Sequence, residues 1–345
     1  MAISLRSTLF CCFFGLLVLS CVKDKPEAHS PVLSNPESSK QVFVVNEGNF
    51  SSGNASISLY NTANNEVQED QFKAVNNAAL GDVAQSMALI NGHYYLVVNN
   101  SGKIVVCDKN FKMTANITGL LSPRYILQVS VTKAYVSDYK SGRVSVVNLT
   151  NHSVSHSIIL PGWTEEMLML NNKVFVCNVN REYLYVIDPN QDEVEDSVWV
   201  GKNVSGIQSD KNSKVWILSS GDLANSSARL SLINATTLDV EKTYVFPTQR
   251  QPFKLAINGQ RDSLYFIDKG ICVMPVNAVA LPDVPIIPAG QSNFYGLGIH
   301  PQSSEIYVSD ALDYVQRSHI TVYSAAGSKK TEFKAGINAN GFYFE

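Results

Sequence analysis

The chain has 345 residues, 45% of them apolar and 17% charged, with a formal net charge of −3. A chain this long and this apolar buries a large core, which excludes disorder as its main state. The absence of a basic surplus excludes a dedicated nucleic-acid binder, and the 15 Tyr, 15 Phe and 20 Gly favour strands and turns over helices.

Residues 1–20, MAISLRSTLFCCFFGLLVLS, put one cation, Arg6, ahead of an 11-residue apolar run from Leu9 to Leu19. The run is shorter than the ~20 residues of a bilayer span and has the length of the apolar region of an export signal. It ends Val18-Leu19-Ser20-Cys21, which resembles a bacterial lipobox. An acylated Cys21 would anchor the protein to a membrane without a spanning helix. The plainer alternative is an ordinary signal peptide cut near Ser20. Cys21 and residues 22–40, with three prolines, four serines and mixed charge, read as a lipidated start and a flexible tether. No later stretch has 18 consecutive apolar residues.

From residue 41 to residue 345 the chain repeats one unit. Short strands end in a polar residue again and again: Phe-Val-Val-Asn-Glu47, Leu-Val-Val-Asn-Asn100, Tyr-Val-Ser-Asp138, Phe-Val-Cys-Asn178, Trp-Ile-Leu-Ser219, Tyr-Phe-Ile-Asp268 and Tyr-Val-Ser-Asp310. The mean spacing is about 44 residues, in the range of four-stranded propeller blades. The two long intervals are 53 and 49 residues. In the third unit, strands are expected at 125–131, 134–138, 143–149 and 154–160, with Gly/Asn/Asp turns between them. The first unit opens at Gln41 with what matches the second strand of the others, and an orphan strand, Gly341-Phe-Tyr-Phe-Glu345, follows the seventh. The expected fold is therefore all-β: a seven-bladed β-propeller of four-stranded blades whose C-terminal strand closes the first blade.

Cys107, Cys177 and Cys272 each sit in an apolar strand of a different unit, with no CxxC spacing, and read as buried free thiols.

The repeats resemble the YVTN-type, YncE-like seven-bladed propellers. Val-Val-Asn-Glu-Gly-Asn-Phe (44–50), Gly-Asp-Val-Ala-Gln-Ser-Met (81–87), Ser-Pro-Arg-Tyr (122–125) and Ala-Tyr-Val-Ser-Asp (134–138) resemble a narrower group, the exported propeller lipoproteins of Bacteroidetes. That resemblance implies a lipid-anchored outer-membrane protein facing the cell exterior beside a TonB-dependent transporter. It also implies capture of cobalamin or, in relatives, of ferric siderophores.

In a propeller, the loops between strands two and three share a face with the loops between blades. The first kind falls at 47–54, 100–103, 138–143, 178–183, 219–229, 268–270 and 310–319. The second kind includes 81–86, 121–125, 161–166, 249–254 and 291–296. These loops supply the candidate ligand-binding residues. The aromatics are Tyr125, Tyr139, Trp163, Tyr183, Phe253, Phe294, Tyr295 and Tyr314. The cations are Arg124, Lys140, Arg143, Arg181, Arg250 and Arg317. Aromatics give rigid, half-polar contact area and Arg gives forked donors, a mixture suited to a large amide-rich or phosphate-bearing chelate. The alternative is that such side chains plug gaps between blades. Arg124 and Tyr125 stand out because they also match the narrower group's pattern. Leaving aside Arg229 at the very end of the 219–229 loop, nine cations face ten anions in these loops, which serves a near-neutral ligand at least as well as a trianion. The polar strand ends are expected to accept hydrogen bonds from nearby backbone, with a metal-binding ring as the sharper alternative.

Catalytic signals are few. There is no HExxH, GxSxG or P-loop pattern, and His152 and His156 are a strand's ~13 Å apart, too far for one zinc. Glu165-Glu166 imitates a glycosidase carboxylate pair, but adjacency does not set the required separation. The expected function is a binding module, not an enzyme, with no cofactor or metal of its own because the metal arrives inside the chelate. Its expected partners are a small-molecule chelate, the transporter, and a membrane reached through the lipid. Cobalamin comes first, a ferric catecholate siderophore second, then a glycan. A propeller lyase or hydrolase is the alternative of another class.

Overall fold

A computed structural model describes residues 40–345. The export signal, Cys21 and the tether up to residue 39 lie outside the described residues.

Seven antiparallel four-stranded sheets follow one another as blades. The first holds β1 (Gln41–Asn46), β2 (Ser56–Asn61) and β3 (Glu66–Gln68), followed by a short helix, α1 (Gln71–Asn76). The second runs β4 (Ala84–Ile90), β5 (His93–Val98), β6 (Lys103–Cys107), β7 (Met113–Ile117). The third runs β8 (Pro123–Gln128), β9 (Lys133–Asp138), β10 (Arg143–Asn148), β11 (Ser153–Ile159). The fourth runs β12 (Thr164–Leu170), β13 (Lys173–Asn178), β14 (Tyr183–Asp188), β15 (Glu193–Trp199). The fifth runs β16 (Val204–Ser209), β17 (Lys214–Ser219), β18 (Arg229–Asn234), β19 (Val240–Val245). The sixth runs β20 (Phe253–Ile257), β21 (Ser263–Ile267), β22 (Gly270–Pro275), β23 (Ile287–Pro288). The seventh runs β24 (Phe294–Ile299), β25 (Ile306–Asp310), β26 (Arg317–Tyr323), β27 (Lys329–Ile337). The last strand, β28 (Ala339–Phe344), returns to pair with β1, from Val42↔Phe344 to Asn46↔Ala339, and completes the first blade as its innermost strand.

The second strand of each blade is sandwiched between two neighbouring blades, so both of its faces are apolar. β13, Lys-Val-Phe-Val-Cys-Asn, is buried from Val174 to Asn178, and Cys107, Cys177 and Cys272 are buried free thiols. The outermost strands meet water and read polar, as in β15, where only Val198 is buried. Seven apolar clusters fill the seven gaps between blades. Phe43 and Val45 face Tyr94 and Leu96 of the second blade, while Val42 and Val44 face Tyr307 and Ile320 of the seventh. A ring with a core in every gap buries both faces of each blade and leaves only the short edges of the outermost strands to water.

The irregular spacings have local causes. The 53-residue interval contains α1, capped by Asp70 on the Lys73 amide and stopped at left-handed Asn77, with Phe72 buried in the first gap. No strand pattern anticipates this helix. The 49-residue interval holds the 220–228 loop, closed by an isolated bridge between Asp222 and Ser226.

Candidate functional site

Every innermost strand carries the same irregularity. One residue after its start the pairing register slips, placing Gln85, Arg124, Glu165, Ser205, Lys254, Tyr295 and Asn340 at seven equivalent bulges. A bulge turns a side chain out of the pleat. Seven of them at one level of seven inner strands form a ring around the central channel.

Five of the seven positions, on blades seven, one, two, three and four, are cross-linked into one arc. The Arg124 guanidinium donates from Nε to Glu165 Oε2 (2.8 Å), from Nη2 to Glu165 Oε1 (2.5 Å), and from Nη1 to Gln85 Oε1 (2.5 Å). Trp163 Nε1 donates to the same Glu165 carboxylate (2.7 Å), and the Arg124 guanidinium lies 5.5 Å from the Trp163 ring centre. Burial works against the charge on Arg124, but the hydrogen bonds and charge of Glu165 outweigh it and hold the guanidinium above its ordinary pKa. Across the ring, Asn340 Nδ2 donates to Glu47 Oε1 (2.6 Å) and to the Gln85 carbonyl (2.9 Å), and Tyr295 Oη donates to Glu47 Oε2 (2.6 Å). Burial first, then the Glu47 charge, pushes the Tyr295 hydroxyl up.

Two aromatic pairs stand over this ring. Tyr139 meets Trp163 edge-on at 4.5 Å, with Lys140 Nζ 5.7 Å from the Tyr139 ring centre. Tyr295 meets Tyr314 edge-on at 5.8 Å. Tyr139 and Tyr314 are 41% and 46% exposed, so their ring surface is open to an incoming ligand.

Below the ring lies a cavity of about 310 Å³, with Gln85, Tyr125, Glu166, Gln208, Lys254 and Asn340 in its upper wall. Its lower wall is apolar, from Met87 and Ile257 to Phe342. Glu166 faces this space although protein surrounds it. Its Oε2 accepts from the Ile207 amide (3.2 Å). Burial, partly countered by the charge of Lys254, raises its carboxyl from 4.5 to about 7. The protonated form therefore favours the fold. The stability Glu166 contributes is complete below pH 4.5 and is lost as pH rises through 7. Glu166→Gln, which cannot ionise, is expected to match the parent near pH 4.5. At pH 8 it should exceed the parent by up to about 3 kcal/mol, read from urea midpoints at the two pH values.

Over residues 40–345 the sequence matches the family described as Domain of unknown function (DUF5074). The chain belongs to that family. No curated protein matches it. Among solved structures, this DUF5074 propeller is similar to a quinonprotein alcohol dehydrogenase-like protein from Bacteroides thetaiotaomicron (TM-score 0.71, 16% identity, covering 89% of this chain and 78% of that one). A functionally unknown protein from Desulfotomaculum acetoxidans (0.65, 13%, 89% and 99%) and apo AztD from Citrobacter koseri (0.58, 9%, 89% and 98%) are also similar. At these identities the likeness shows the propeller fold alone.

Seven of the fourteen residues singled out in the sequence lie at the ring, its mouth or the cavity beneath it in this DUF5074 propeller. They are Arg124, Tyr125, Tyr139, Lys140, Trp163, Tyr295 and Tyr314. Arg124 and Tyr125, adjacent in sequence, part company: Arg124 joins the ring and Tyr125 lines the cavity beneath it. The other seven lie elsewhere. Arg143, with its Nε on the Ser141 carbonyl (3.3 Å), opens a third strand. Arg181 and Tyr183 are exposed on the fourth blade, further out than its two inner strands. Arg250 is paired with buried Asp268. Arg317 holds the Ala335 carbonyl (2.9 Å) and Glu69 at the outer side of the seventh and first blades. Phe253 and Phe294 are partly buried against the cluster between blades six and seven. The loop assignment is corrected there, because Glu165, Glu166, Phe253, Lys254, Phe294 and Tyr295 begin innermost strands.

Most polar strand ends do serve backbone. Asp138 accepts from the Leu121 and Ser122 amides, Asp310 from the Asn293 amide, and Ser219 donates to the Val200 carbonyl. Three bond side chains instead: Asn100 donates to Asp82, Asp268 accepts from Arg250, and Glu47 bridges Tyr295 and Asn340 at the mouth. Among the described residues no group of three His, Cys, Asp or Glu is placed to hold a metal ion. Sequence reasoning missed Glu47, Gln85, Glu165, Glu166, Lys254 and Asn340 as site residues. The signal that finds most of them is alignment of the seven inner strands on their second residue.

Proposed function

We propose that this propeller is a capture protein of the cell envelope, anchored by a lipid on Cys21. On this reading it takes a metal-chelate nutrient, cobalamin or another corrinoid first, at the channel mouth and passes it to a TonB-dependent outer-membrane transporter. No turnover is required and the metal belongs to the cargo. The observation that carries the reading is the mouth: a ring of amide, carboxylate and guanidinium groups set between two half-exposed aromatic pairs. A corrin edge bears carboxamides, which need both donors and acceptors, and a broad apolar face, which needs flat aromatic contact. Ring and cavity together hold two cations, Arg124 and Lys254, against Glu47, Glu165 and Glu166, a balance that suits a near-neutral chelate better than a trianion. Glu165 is already committed to Arg124 and Trp163, which favours binding over carboxylate-pair catalysis.

β1 rises from Gln41, paired near the end of β28, to Asn46 at the ring level, so a tether joined at Gln41 starts on the face opposite the mouth and does not cross it.

The test is co-elution in gel filtration of the purified protein with cyanocobalamin or with ferric enterobactin. Cyanocobalamin is expected to travel with the protein, and Trp163→Ala and Tyr314→Ala are each expected to weaken it about tenfold or more. Co-elution of the ferric catecholate alone reverses the ligand order, and co-elution of neither overturns the metal-chelate reading.

A further inference from the structure

The cavity under the ring poses a separate problem. Glu166 and Lys254, from the fourth and sixth blades, both line it. Among the described residues neither has an ion-pair partner within 4.0 Å, yet after burial Lys254 is the strongest influence on Glu166. A carboxyl and an ammonium group thus face one partly desolvated space without meeting, and charge on either is costly there unless something spans them. The backbone adds a second observation. Of the seven bulge residues, Lys254 alone takes a left-handed conformation (φ 57°), a state that costs a non-glycine residue about 1 kcal/mol or more. Gln85 and Asn340, which also line the chamber, are tied into the hydrogen-bonded arc, whereas no such bond holds Lys254 among the described residues.

The rest of the chamber fits one kind of occupant. Its volume, about 310 Å³, lies at the lower end of ligand pockets. Below the two charges the wall turns apolar, with Met87, Leu297, Ile299, Phe342 and Phe344, and it reaches the final residues of β24 and β28. The hydrogen-bonded arc from Tyr295 through Asn340, Gln85 and Arg124 to Glu165 covers part of its upper end. The apolar half of the chamber lies at the lower face, away from the aromatic pairs of the mouth.

We propose that this chamber is a second binding site, for a free α-amino acid with an apolar side chain. Its carboxylate sits on Lys254, its ammonium on Glu166, and its side chain among Met87, Ile299 and Phe344. Each charge then gains the partner it lacks, and the apolar wall is covered. The pH dependence follows from the groups around Glu166: Glu165 on its own strand, Arg124 and Tyr125 on β8, Lys254 on β20 and Cys177 on β13. With the empty carboxyl at about 7, an ammonium ligand must displace its proton, so affinity rises toward pH 8 and falls toward pH 6.

The test is calorimetric titration of the purified protein with L-leucine and L-phenylalanine, beside leucinamide, which lacks the carboxylate, and 4-methylpentanoate, which lacks the ammonium. At least one amino acid is expected to bind below about 1 mM, with its analogue lacking either charge at least tenfold weaker. Glu166→Gln should cost leucine at least tenfold while leaving 4-methylpentanoate unchanged or tighter, and Lys254→Met should do the same with respect to leucinamide. Melting curves check that both variants are folded. Absence of heat with both amino acids at about 10 mM overturns the proposal, as does binding of leucine no tighter than its two analogues.

Discussion

Deleting residues 339–345 is expected to abolish the cooperative unfolding transition and send the protein into the insoluble fraction. Deleting residues 22–39 should leave the melting temperature where it was. The closing strand holds more than its few residues suggest. It pairs with β1 along its whole length, and its loss strips hydrogen bonds from an interior strand that has no water to replace them. Phe342 and Phe344 pack into the gap between blades seven and one, and Tyr343 into the gap between blades one and two, so truncation opens two of the seven cores at once. Gly298 of the seventh blade allows the contact, since a Cβ there would lie 2.8 Å from Cβ of Phe342. Ser309 Oγ donates to the Ala339 carbonyl, and the Ala339 amide donates to Ser318 Oγ (3.0 Å), so polar groups are orphaned as well. Each of these partly buried aromatics is worth up to about 1.5–3 kcal/mol, and the sum with the lost pairing reaches into the 5–15 kcal/mol of a typical fold. A truncated protein that melts cooperatively near the parent temperature would show that the ring closes without its last strand.

The same closing strand illustrates which features a sequence exposes. The seven units are legible because a strand clamped between two blades must be apolar on both faces, as from Val174 to Cys177, and such runs stand out against polar outer strands like Glu193–Trp199. The closure is legible because the first unit starts with a clamped strand and the chain ends with a spare one. The bulge ring is not legible in any one strand, because a bulge is a property of pairing register between two strands, and it emerges only when the seven inner strands are aligned with one another. Gln85, Lys254 and Asn340 therefore look like ordinary polar residues near a turn, and Phe253 and Phe294 look like loop aromatics although they begin strands. Glu47 was visible only as one polar strand end among seven, six of which lie outside the Tyr295–Asn340 bridge. The pairing of Tyr139 with Trp163 comes from adjacent blades meeting at the mouth, a relation that becomes visible once the ring is assembled.

Arg124→Met is expected to cost about 3–5 kcal/mol of stability, and the double variant Arg124→Met/Glu165→Gln to recover most of that loss. The side chains of Arg124 and Glu165 are only 16% and 10% exposed, so their pairing is not a surface contact. Removing the guanidinium alone leaves the Glu165 carboxylate enclosed, held only by Trp163 Nε1, one residue from the carboxylate of Glu166, and takes from Gln85 Oε1 its donor. The cost arises from the stranded charge more than from the lost bond, which is why neutralising Glu165 restores stability. The two variants separate stability from recognition. Both lack the forked donor at the mouth, so both should lose corrinoid capture, although only the single variant is destabilised. Urea denaturation of parent, single and double variants at pH 8, with cyanocobalamin gel filtration alongside, reads both quantities. A single variant within about 1 kcal/mol of the parent would place Arg124 and Glu165 among water-screened ion pairs. Undiminished capture by the double variant would move the ligand off the ring and onto the aromatic pairs alone.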